Sequence, residues 1–351
     1  MYNVLIVGAG SIGNHLAHAC RCKGWEVTMF DIDPAALQRT QSEIYPSRYG
    51  EWDQAIRLID SLEFDQAFDL IIIGTPPDIH LDNVLNVLKV CPPKVLLIEK
   101  PLVSPIKANV DMLRELSLQP GPIILAGYNH NMSKITIRAE QLLGDDLVGD
   151  PLSLHVRWLE HWGGIFQAHP WLEGPQDSYL GFWSRGGGAC AEHSHAISLW
   201  QHFSQALNCG PISEVSATMD MRRSEFVNYD QTTVIGMRSK RGLTGSIVQD
   251  VVTSPAQKMM RIQGVKGFLE WYVNYDDGHD ALIYGRQGEE INKEQYSKKR
   301  PDDFIGEIDH IETLLKSDCK NSPLSLDRAI NVMDAIIAAH ESHQRGKMIS
   351  I

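Results

Sequence analysis

The sequence lacks the features of a secreted, membrane or nucleic-acid-binding protein. Its longest apolar runs, such as LIIIG at 70–74, have the length of a strand and are far too short to span a membrane. No charged leader with a cleavage site precedes the first apolar run, so no targeting segment is expected. The net charge is −12, whereas phosphate binding needs clustered positive charge. We therefore expect neither a nucleic acid nor a membrane as a partner.

Cysteine is also sparse and has no pattern. The six cysteines, at 20, 22, 91, 190, 209 and 319, form no C-x-x-C pair, which argues against a structural zinc site or a redox dithiol. Reduced, scattered thiols are typical of the cytoplasm, and we expect the protein to be cytoplasmic.

With 351 residues, the chain is long enough for two domains. In its first third, short β-branched runs alternate with segments of helical length, a pattern typical of a parallel sheet with helices on both faces. These runs lie at 3–7, 26–30, 69–73, 94–98 and 122–126. The sequence therefore predicts a doubly wound α/β domain over residues 1–127.

After Tyr128 the segments lengthen and their apolar residues alternate with polar ones. Such segments lie at 151–159, 214–221, 232–238, 243–252, 258–271 and 281–285. This alternation predicts an α+β domain over residues 128–351, with a large, open, mostly antiparallel sheet and helices on one face. Two helices, near 302–317 and 325–344, are expected to close the chain.

The stretch VLIVGAGSIGNH contains G-x-G-x-x-G at Gly8, Gly10 and Gly13, between a predicted strand and a predicted helix. Glycines at this spacing permit a tight turn and close approach to a pyrophosphate, which the helix N-terminus at Ser11 and Ile12 then binds. Asp31 ends the second strand, where a carboxylate accepts the ribose hydroxyls and repels a 2′-phosphate. The motif predicts a Rossmann domain that prefers NAD to NADP.

Two further strand ends carry candidate residues. Thr75 and Pro76 follow the strand at 69–73 and are expected to border the cofactor cleft, while His80 either lines that cleft or caps the next helix. Lys100, in the sequence Glu99-Lys100-Pro101, lies at the carboxyl end of a buried strand, where ligands bind in open α/β sheets. A lysine there can hydrogen-bond a substrate hydroxyl and exchange its proton; a surface lysine that precedes a helix is the alternative.

The stretch RGGGACAEHSHAISLW at 185–200 places a carboxylate and two imidazoles after three glycines. A helix over 190–205 would place Glu192 and His195 on one face and point His193 away from them. The candidate roles are a metal site, a helix cap and an acid/base pair. A di-metal site requires a second Glu-x-x-His motif, which the sequence lacks. We therefore predict no metal and favour acid/base chemistry with substrate orientation.

Taken in order, these motifs resemble the glucose–fructose oxidoreductase/inositol dehydrogenase/rhizopine-catabolism (Gfo/Idh/MocA) family of NAD(P)-dependent oxidoreductases. Tyr128-Asn129, FIGEIDHIETLL at 304–315 and the terminal GKMISI contribute to the resemblance, which covers essentially the whole chain. Many members have Asp and His separated by three residues, whereas Glu192 and His195 are separated by two. The sequence is thus similar to a Glu-x-Ser-His branch, which together with the segment at 168–189 is associated with bacterial surface-sugar pathways.

The resemblance implies NAD-dependent oxidation or reduction at a carbon of a sugar, cyclitol or related polyol. It implies that Lys100 and His195 act at the reacting hydroxyl and that Glu192 orients His195 or binds substrate. Further cofactor-binding residues are expected among Thr75, Pro76, His80, Glu99, Lys100 and Asn129, and further substrate-binding residues among Tyr128, Arg157 and Trp183. The family also implies a homodimer or homotetramer formed through the open sheet, and a cis Lys100–Pro101 bond.

Some alternatives remain open. An aromatic residue such as Trp183 is more often a core residue than a platform for a sugar, and Arg157 fits a surface salt bridge as well as an acidic sugar. An NAD-dependent glycosidase, which oxidises its sugar transiently, is the rival enzyme. A non-catalytic regulator that senses a dinucleotide is the rival from another class.

Overall fold

The structure, a computed structural model, describes residues 1–62, 67–317 and 321–351. Its first third contains a six-stranded sheet in which all neighbouring strands are parallel. The strands are β1 (Asn3–Val7), β2 (Glu26–Phe30), β3 (Ile56–Ile59), β4 (Leu70–Ile73), β5 (Val95–Ile98) and β6 (Ile123–Ala126). Their order, β3-β2-β1-β4-β5-β6, is that of a Rossmann sheet and confirms the predicted fold. The apolar runs of the sequence did not predict β3, which is a short, half-exposed edge strand.

Eleven α-helices connect or cover the strands of the described residues. They are α1 (Ser11–Cys22), α2 (Pro34–Arg39), α3 (Tyr45–Tyr49), α4 (His80–Val90), α5 (Lys107–Ser117), α6 (Lys134–Gly144), α7 (Gly163–Ala168), α8 (Gly188–Glu192), α9 (His195–Ala206), α10 (Asp302–Lys316) and α11 (Leu326–Arg345). The two closing helices were predicted within a residue or so at each end. Helix α10 packs on α1 and α11 packs on α5, so the end of the chain returns to the first sheet.

The second sheet has nine strands and is antiparallel except for the pair β7–β10. Its strands are β7 (Pro151–Leu159), β8 (Ile212–Arg223), β9 (Asn228–Ser239), β10 (Thr244–Asp250), β11 (Gln257–Gly264), β12 (Gly267–Asp276), β13 (His279–Arg286), β14 (Asn292–Ser297) and β15 (Ile349–Ser350). The order is β14-β13-β12-β11-β7-β10-β9-β8-β15. This confirms the large, mostly antiparallel sheet, although the segment predicted at 258–271 is divided between β11 and β12.

Helices cover one face of the second sheet. Along β7, Leu154, Val156 and Trp158 are buried while His155 and Arg157 are exposed, as the period of two in a strand requires. Helix α9 packs on the buried face, where the Trp200 indole N–H donates to the Leu154 carbonyl over 2.9 Å. The other face is open.

The hydrophobic core is continuous between the two sheets. The first sheet ends at Ala126 and the second begins at Pro151, so the division at residues 127 and 128 stays a prediction. Within the described ranges, no helix is both long enough and apolar enough to cross a membrane.

Candidate active site

The glycine turn after β1 has little room for side chains. Gly8 has φ of +109°, and a Cβ on it would lie 2.8 Å from the Gly74 carbonyl oxygen. A Cβ on Gly13 would overlap the Gly8 carbonyl oxygen, whereas a Cβ on Gly10 would point into open space. Gly10 precedes α1 without a side-chain cap, so the first N–H groups of the helix, at Ser11 and Ile12, face an open approach. This is a backbone anion site of the kind that holds a pyrophosphate.

A cavity of about 340 Å³ opens beside this turn. It is lined by Val7, Gly8, Ala9, Gly10, Phe30, Asp31, Ile32, Ala36, Arg39, Ile44, Gly74, Thr75, Pro76, Ile79, Asn83 and Trp171. The Asp31 carboxylate accepts the Ala9 N–H over 2.9 Å and the Asp33 N–H over 3.0 Å, which holds it at the end of β2. The open approach to α1, this carboxylate and the cavity together fit the adenosine and pyrophosphate of NAD.

The other predicted cofactor residues lie in two settings. Thr75 and Pro76 line the cavity. Ser11 begins α1, and its hydroxyl oxygen accepts a hydrogen bond from Arg48 over 2.7 Å. Glu99, Lys100 and Asn129 lie outside that cavity, after β5 and β6, and the Asn129 side-chain oxygen is buried without a hydrogen-bond partner among the described residues.

The structure gives His80 a structural position instead of a place in the cofactor cleft. Its side chain is fully buried at the start of α4. The two ring nitrogens lie 2.6 Å from the Thr75 carbonyl oxygen and 3.2 Å from that of Leu102. His80 thus joins the loops that follow β4 and β5, a position that agrees with the capping alternative.

At the substrate end, Lys100 and Glu192 form a buried ion pair. The Lys100 Nζ donates to Glu192 Oε1 over 2.8 Å and to the Glu192 backbone carbonyl over 3.0 Å. The Tyr179 hydroxyl donates to the other carboxylate oxygen, Oε2, over 2.9 Å. Burial and the carboxylate raise the pKa of Tyr179 well above its ordinary value, so the phenol stays a donor. The predicted cis Lys100–Pro101 bond is present.

His195 lies among aromatic rings. It stacks on Trp158, with ring centroids 5.5 Å apart, and meets the edges of His130 at 4.9 Å and Tyr128 at 5.8 Å. It makes no hydrogen bond within the described part of the chain, and its Nδ1 is buried. The nitrogen that a ligand can reach is therefore Nε2.

Burial and nearby positive charges determine the protonation of His195. Burial lowers the pKa of His195 well below 6.5, and His130, Lys100 and Lys258 lower it further. The Glu192 carboxylate is bonded to Lys100 and Tyr179 and not to His195, so it orients the lysine. His195 is neutral at physiological pH.

The helix predicted over 190–205 is interrupted. Helix α8 ends at Glu192 and α9 begins at His195. The buried Gln249 amide donates to the carbonyls of Ala189 and His193 over 3.2 and 2.6 Å, and Lys100 takes the carbonyl of Glu192. The carbonyls of Ala189 and His193 also accept the N–H groups of His193 and Ala196, so the side chains add donors at the break between the two helices.

The structure places three predicted substrate residues, Tyr128, Arg157 and Trp183, in different surroundings. Tyr128 is buried against His195, and its hydroxyl lies 3.4 Å from that of Ser194. Arg157 lies on the exposed face of β7, away from His195, because side chains alternate along a strand. Trp183 stacks on His340 of α11 with a centroid distance of 4.4 Å, so packing explains the position of its indole.

Several residues near the site were missed by the sequence reasoning. Trp158, one residue after Arg157, is the side chain of β7 that reaches His195. Lys258, its cross-strand partner, lies 5.2 Å from its ring centroid and donates to Glu160 over 2.7 Å. Burial lowers the pKa of Lys258. The alternation of apolar and polar residues over 151–159 would have placed Trp158 on the buried face. The position of Lys258 could be found only from the pairing of the strands.

Two buried carboxyl groups lie behind Lys100. Glu307 of α10 is fully buried, and neither of its carboxyl oxygens has a hydrogen-bond partner among the described residues. Burial raises the pKa of Glu307 well above its ordinary value, and Glu99 adds to the effect. Burial likewise raises the pKa of Glu99 to about 7. No group of three or more possible metal ligands occurs in the described residues.

Comparisons with known proteins agree with this geometry. The family model "Oxidoreductase family, NAD-binding Rossmann fold" matches residues 2–120, and the model of the "GFO/IDH/MocA C-terminal domain" matches residues 136–270. No curated protein sequence matches the chain.

Solved structures share the fold over the whole chain. The WlbA dehydrogenase from Bordetella pertussis, in complex with NADH and UDP-GlcNAcA, is 19% identical, with 100% of this chain and 98% of that chain covered and a TM-score of 0.72. Aldose-aldose oxidoreductase from Caulobacter crescentus, complexed with glycerol, is 15% identical, with coverage of 100% and 99% and a TM-score of 0.77. An oxidoreductase from Agrobacterium radiobacter, in complex with NAD⁺, L-tartaric acid and magnesium, is 17% identical, with coverage of 99% and 98% and a TM-score of 0.76.

The two family models together cover well over half of the chain, in the order in which the two sheets occur. NAD is accordingly the cofactor for which the glycine turn and the cavity beside it are built. The chain belongs to the Gfo/Idh/MocA family of NAD-binding oxidoreductases.

Proposed function

We propose that the protein is an NAD-dependent dehydrogenase that oxidises a hydroxyl-bearing carbon of a sugar, a cyclitol or a sugar derivative. One observation carries the proposal: the Lys100–Glu192 ion pair and a neutral, unbonded His195 lie together at the carboxyl edge of the parallel sheet. That edge also holds the cofactor cavity. A proton acceptor and a hydroxyl-binding cation beside a dinucleotide site are what alcohol oxidation requires.

Lys100 binds the substrate hydroxyl in this proposal. Its ammonium has three N–H donors, and two of them are used by Glu192. The third is free to donate to the hydroxyl oxygen and to stabilise negative charge as the O–H bond breaks. Glu192, fixed by Tyr179, prevents the lysine from turning away.

His195 takes the proton in this proposal. The neutral imidazole accepts the hydroxyl proton at Nε2, the nitrogen that a ligand can reach. NAD, when bound, supplies the acceptor for the hydride that leaves the same carbon. The products are a carbonyl compound, NADH and a proton held on His195, so the atoms and the electron pair balance.

The substrate class is supported by the similar structures. One similar structure holds a nucleotide-linked sugar acid and another holds glycerol. Lys258 lies over Trp158, which stacks on His195, but Glu160 already pairs with this cation, so local charge does not distinguish neutral from acidic sugars.

An activity panel tests this function. The protein is incubated with NAD and with single sugars, uronic acids, inositols or nucleotide sugars, and NADH is followed by its absorbance. Stoichiometric NADH formation from one of these classes supports a dehydrogenase. Cleavage of a glycoside without net NADH formation identifies the glycosidase alternative, and NAD binding without turnover of any compound favours the regulator.

Three further expectations belong to this proposal. We expect NAD to bind more tightly than NADP because Asp31 would meet the 2′-phosphate, although Arg39 also lines the cavity. We expect the two halves of the chain to behave as domains 1–127 and 128–351. We expect a homodimer or homotetramer formed through the open face of the second sheet, which bears the exposed Leu152 and Val234, and light scattering measures this state.

A further inference from the structure

A loop from the second half of the chain reaches the cofactor cavity. We call residues 163–185 the strap. The strap begins beside Trp162, which is buried in a cluster with Leu180, Ala189 and Val251. It ends at Arg185, whose Nε donates to Asp78 over 2.6 Å. Between these two anchors, Trp171 lines the cavity that also contains Gly10 and Asp31.

Trp171 is held in place but only partly covered. The Arg39 guanidinium lies 4.8 Å from the centroid of its ring, and His169 meets the ring edge-on at 5.1 Å. The indole nevertheless stays 43% exposed. The Arg39 Nε at this wall is buried and has no hydrogen-bond partner among the described residues. A large, partly exposed aromatic surface, backed by the Arg39 guanidinium, therefore borders the cavity.

The same cavity has other exposed apolar residues. Ile32, directly after Asp31, is 80% exposed, and Ile79 is 42% exposed. Large apolar side chains left open around a single cavity are typical of a ligand site. A flat, largely apolar ring placed in the cavity would bury these side chains, and the adenine of a dinucleotide has this chemistry.

We propose that Trp171 is a cofactor-binding residue that covers the adenine of NAD, so that the strap completes the nucleotide site from the second half of the chain. This inference rests on the NAD-dependent function proposed above. It adds a contact that the glycine motif and Asp31 do not provide. Because the strap also carries Tyr179, which fixes Glu192, one loop contacts both the adenine end and the catalytic end of the cleft.

Binding measurements with cofactor fragments test the proposal. Isothermal titration calorimetry compares wild type, Trp171→Ala, Trp171→Phe and the control Phe226→Ala, which removes another exposed aromatic residue outside the cavity. The ligands are NAD, ADP-ribose and nicotinamide mononucleotide, which lacks adenosine. We expect Trp171→Ala to weaken NAD and ADP-ribose about 5- to 100-fold, as for loss of a base-stacking aromatic. Nicotinamide mononucleotide is unaffected, and Trp171→Phe and Phe226→Ala stay near wild type.

Tryptophan fluorescence gives an independent readout. ADP-ribose quenches emission from the wild type, and the quenching is reduced in Trp171→Ala. Unfolding temperatures of the ligand-free proteins verify that each variant is folded. Unchanged ADP-ribose binding in Trp171→Ala, or an equal loss for nicotinamide mononucleotide, overturns the inference and leaves the proposed function standing. A wild type that binds no NAD overturns the proposed function itself.

Discussion

At the cofactor end of the cleft the groups open to a ligand belong to the backbone, whereas the proposed substrate end consists of buried ionisable side chains. The first end consists of a turn whose glycines leave open the N-terminus of α1. The second end consists of Tyr179, Glu192 and His195, which are close in sequence, and of the distant Lys100, which the fold brings to Glu192.

This difference means that the two ends respond to different changes. Where two backbone segments approach closely, there is no room for an added side-chain atom. The backbone has no titratable proton, so its anion site does not depend on protonation. A buried ionisable group tolerates small changes of shape, but its protonation depends on every neighbouring charge. Substitutions therefore separate cofactor affinity from turnover, and this separation is what the following experiments measure.

The largest effect is expected at the proton-transfer pair. His195→Ala and Lys100→Met each lower kcat by about 10²–10⁴, the range for loss of a positioned acid or base. The double variant loses far less than the product of the two, because both residues act on one hydroxyl. NAD affinity, measured by calorimetry, stays near that of the wild type.

His193→Ala is the matched control for this pair. His193 lies 3.4 Å from the Glu160 carbonyl oxygen and does not bond to His195, so the variant keeps most of its activity. An inactive His193→Ala together with an active His195→Ala would reassign the proton transfer. A fall in NAD affinity as large as the fall in kcat would remove the distinction between the two ends.

For Gly13→Ala we expect a loss of NAD affinity with little change in kcat, the opposite of the result for His195→Ala. The added Cβ overlaps the Gly8 carbonyl oxygen, so the turn must shift and NAD binds about tenfold more weakly or worse. Gly121→Ala is the control, because a Cβ there has nothing within 4 Å. With saturating NAD, kcat of Gly13→Ala recovers towards the wild-type value. If its NAD dissociation constant is unchanged, the backbone does not form the anion site.

Tyr179→Phe has a smaller expected effect at the substrate end. The variant removes one hydrogen bond to Glu192 and leaves the ion pair with Lys100 intact. A hydrogen bond to a charged group contributes about 1.5–3 kcal/mol. Because the ion pair with Lys100 persists, only part of this loss reaches the reacting hydroxyl, and we expect kcat to fall by roughly 2- to 10-fold. Steady-state kinetics with Tyr229→Phe as the control measure this, since Tyr229 packs on Trp162 away from Glu192. A loss as large as that of Lys100→Met would make Tyr179 a proton donor instead of a positioning residue.

The next prediction concerns the position of the acid limb of the pH profile and not its maximal rate. Burial lowers the pKa of His195, so the base stays neutral as pH falls through 6.5, and the acid limb of kcat/KM lies below that value. Lys258→Met removes a nearby positive charge, which raises the pKa of His195 and moves the acid limb to higher pH. A wild-type limb at or above pH 6.5 contradicts the burial argument.

Much of the fold was predictable because its signals are local. Each parallel strand except β3 is a continuous apolar run, and the glycine spacing identifies the turn after β1. Local motifs made Lys100 and His195 separate candidates, and the resemblance assigned both to one reacting hydroxyl, since no local rule places them together. The remainder depends on tertiary contacts: Gln249 donates at the helix break before His195, and burial, not Glu192, determines the protonation of the imidazole.

Two of the predicted site residues, Arg157 and His80, have positions with equally specific causes. Arg157 was chosen for its charge, but the pleat of β7 turns it outward and brings Trp158 to His195. His80 was chosen for its position after a strand, but two backbone carbonyls need its ring. Strand alternation determines where the Arg157 side chain points, and hydrogen bonding to backbone carbonyls determines where the His80 ring lies. A short sequence motif shows neither.

The smallest expected effect concerns stability. Glu307 lies buried with both carboxyl oxygens unpartnered, and burial raises its pKa well above the ordinary value. The folded protein therefore keeps a proton that the unfolded chain loses above about pH 4.3, so this group makes folding less favourable as pH rises towards the folded pKa. Glu307→Gln removes that penalty, so the free energy of unfolding at pH 8 is higher than that of the wild type. The gain shrinks as pH falls to about 4, where Glu307 is neutral in both states. Urea unfolding at both pH values measures it, with the exposed Glu289→Gln as the control. A Glu307→Gln protein that is less stable than wild type at pH 8 would show that the carboxyl group has a partner that its geometry does not reveal.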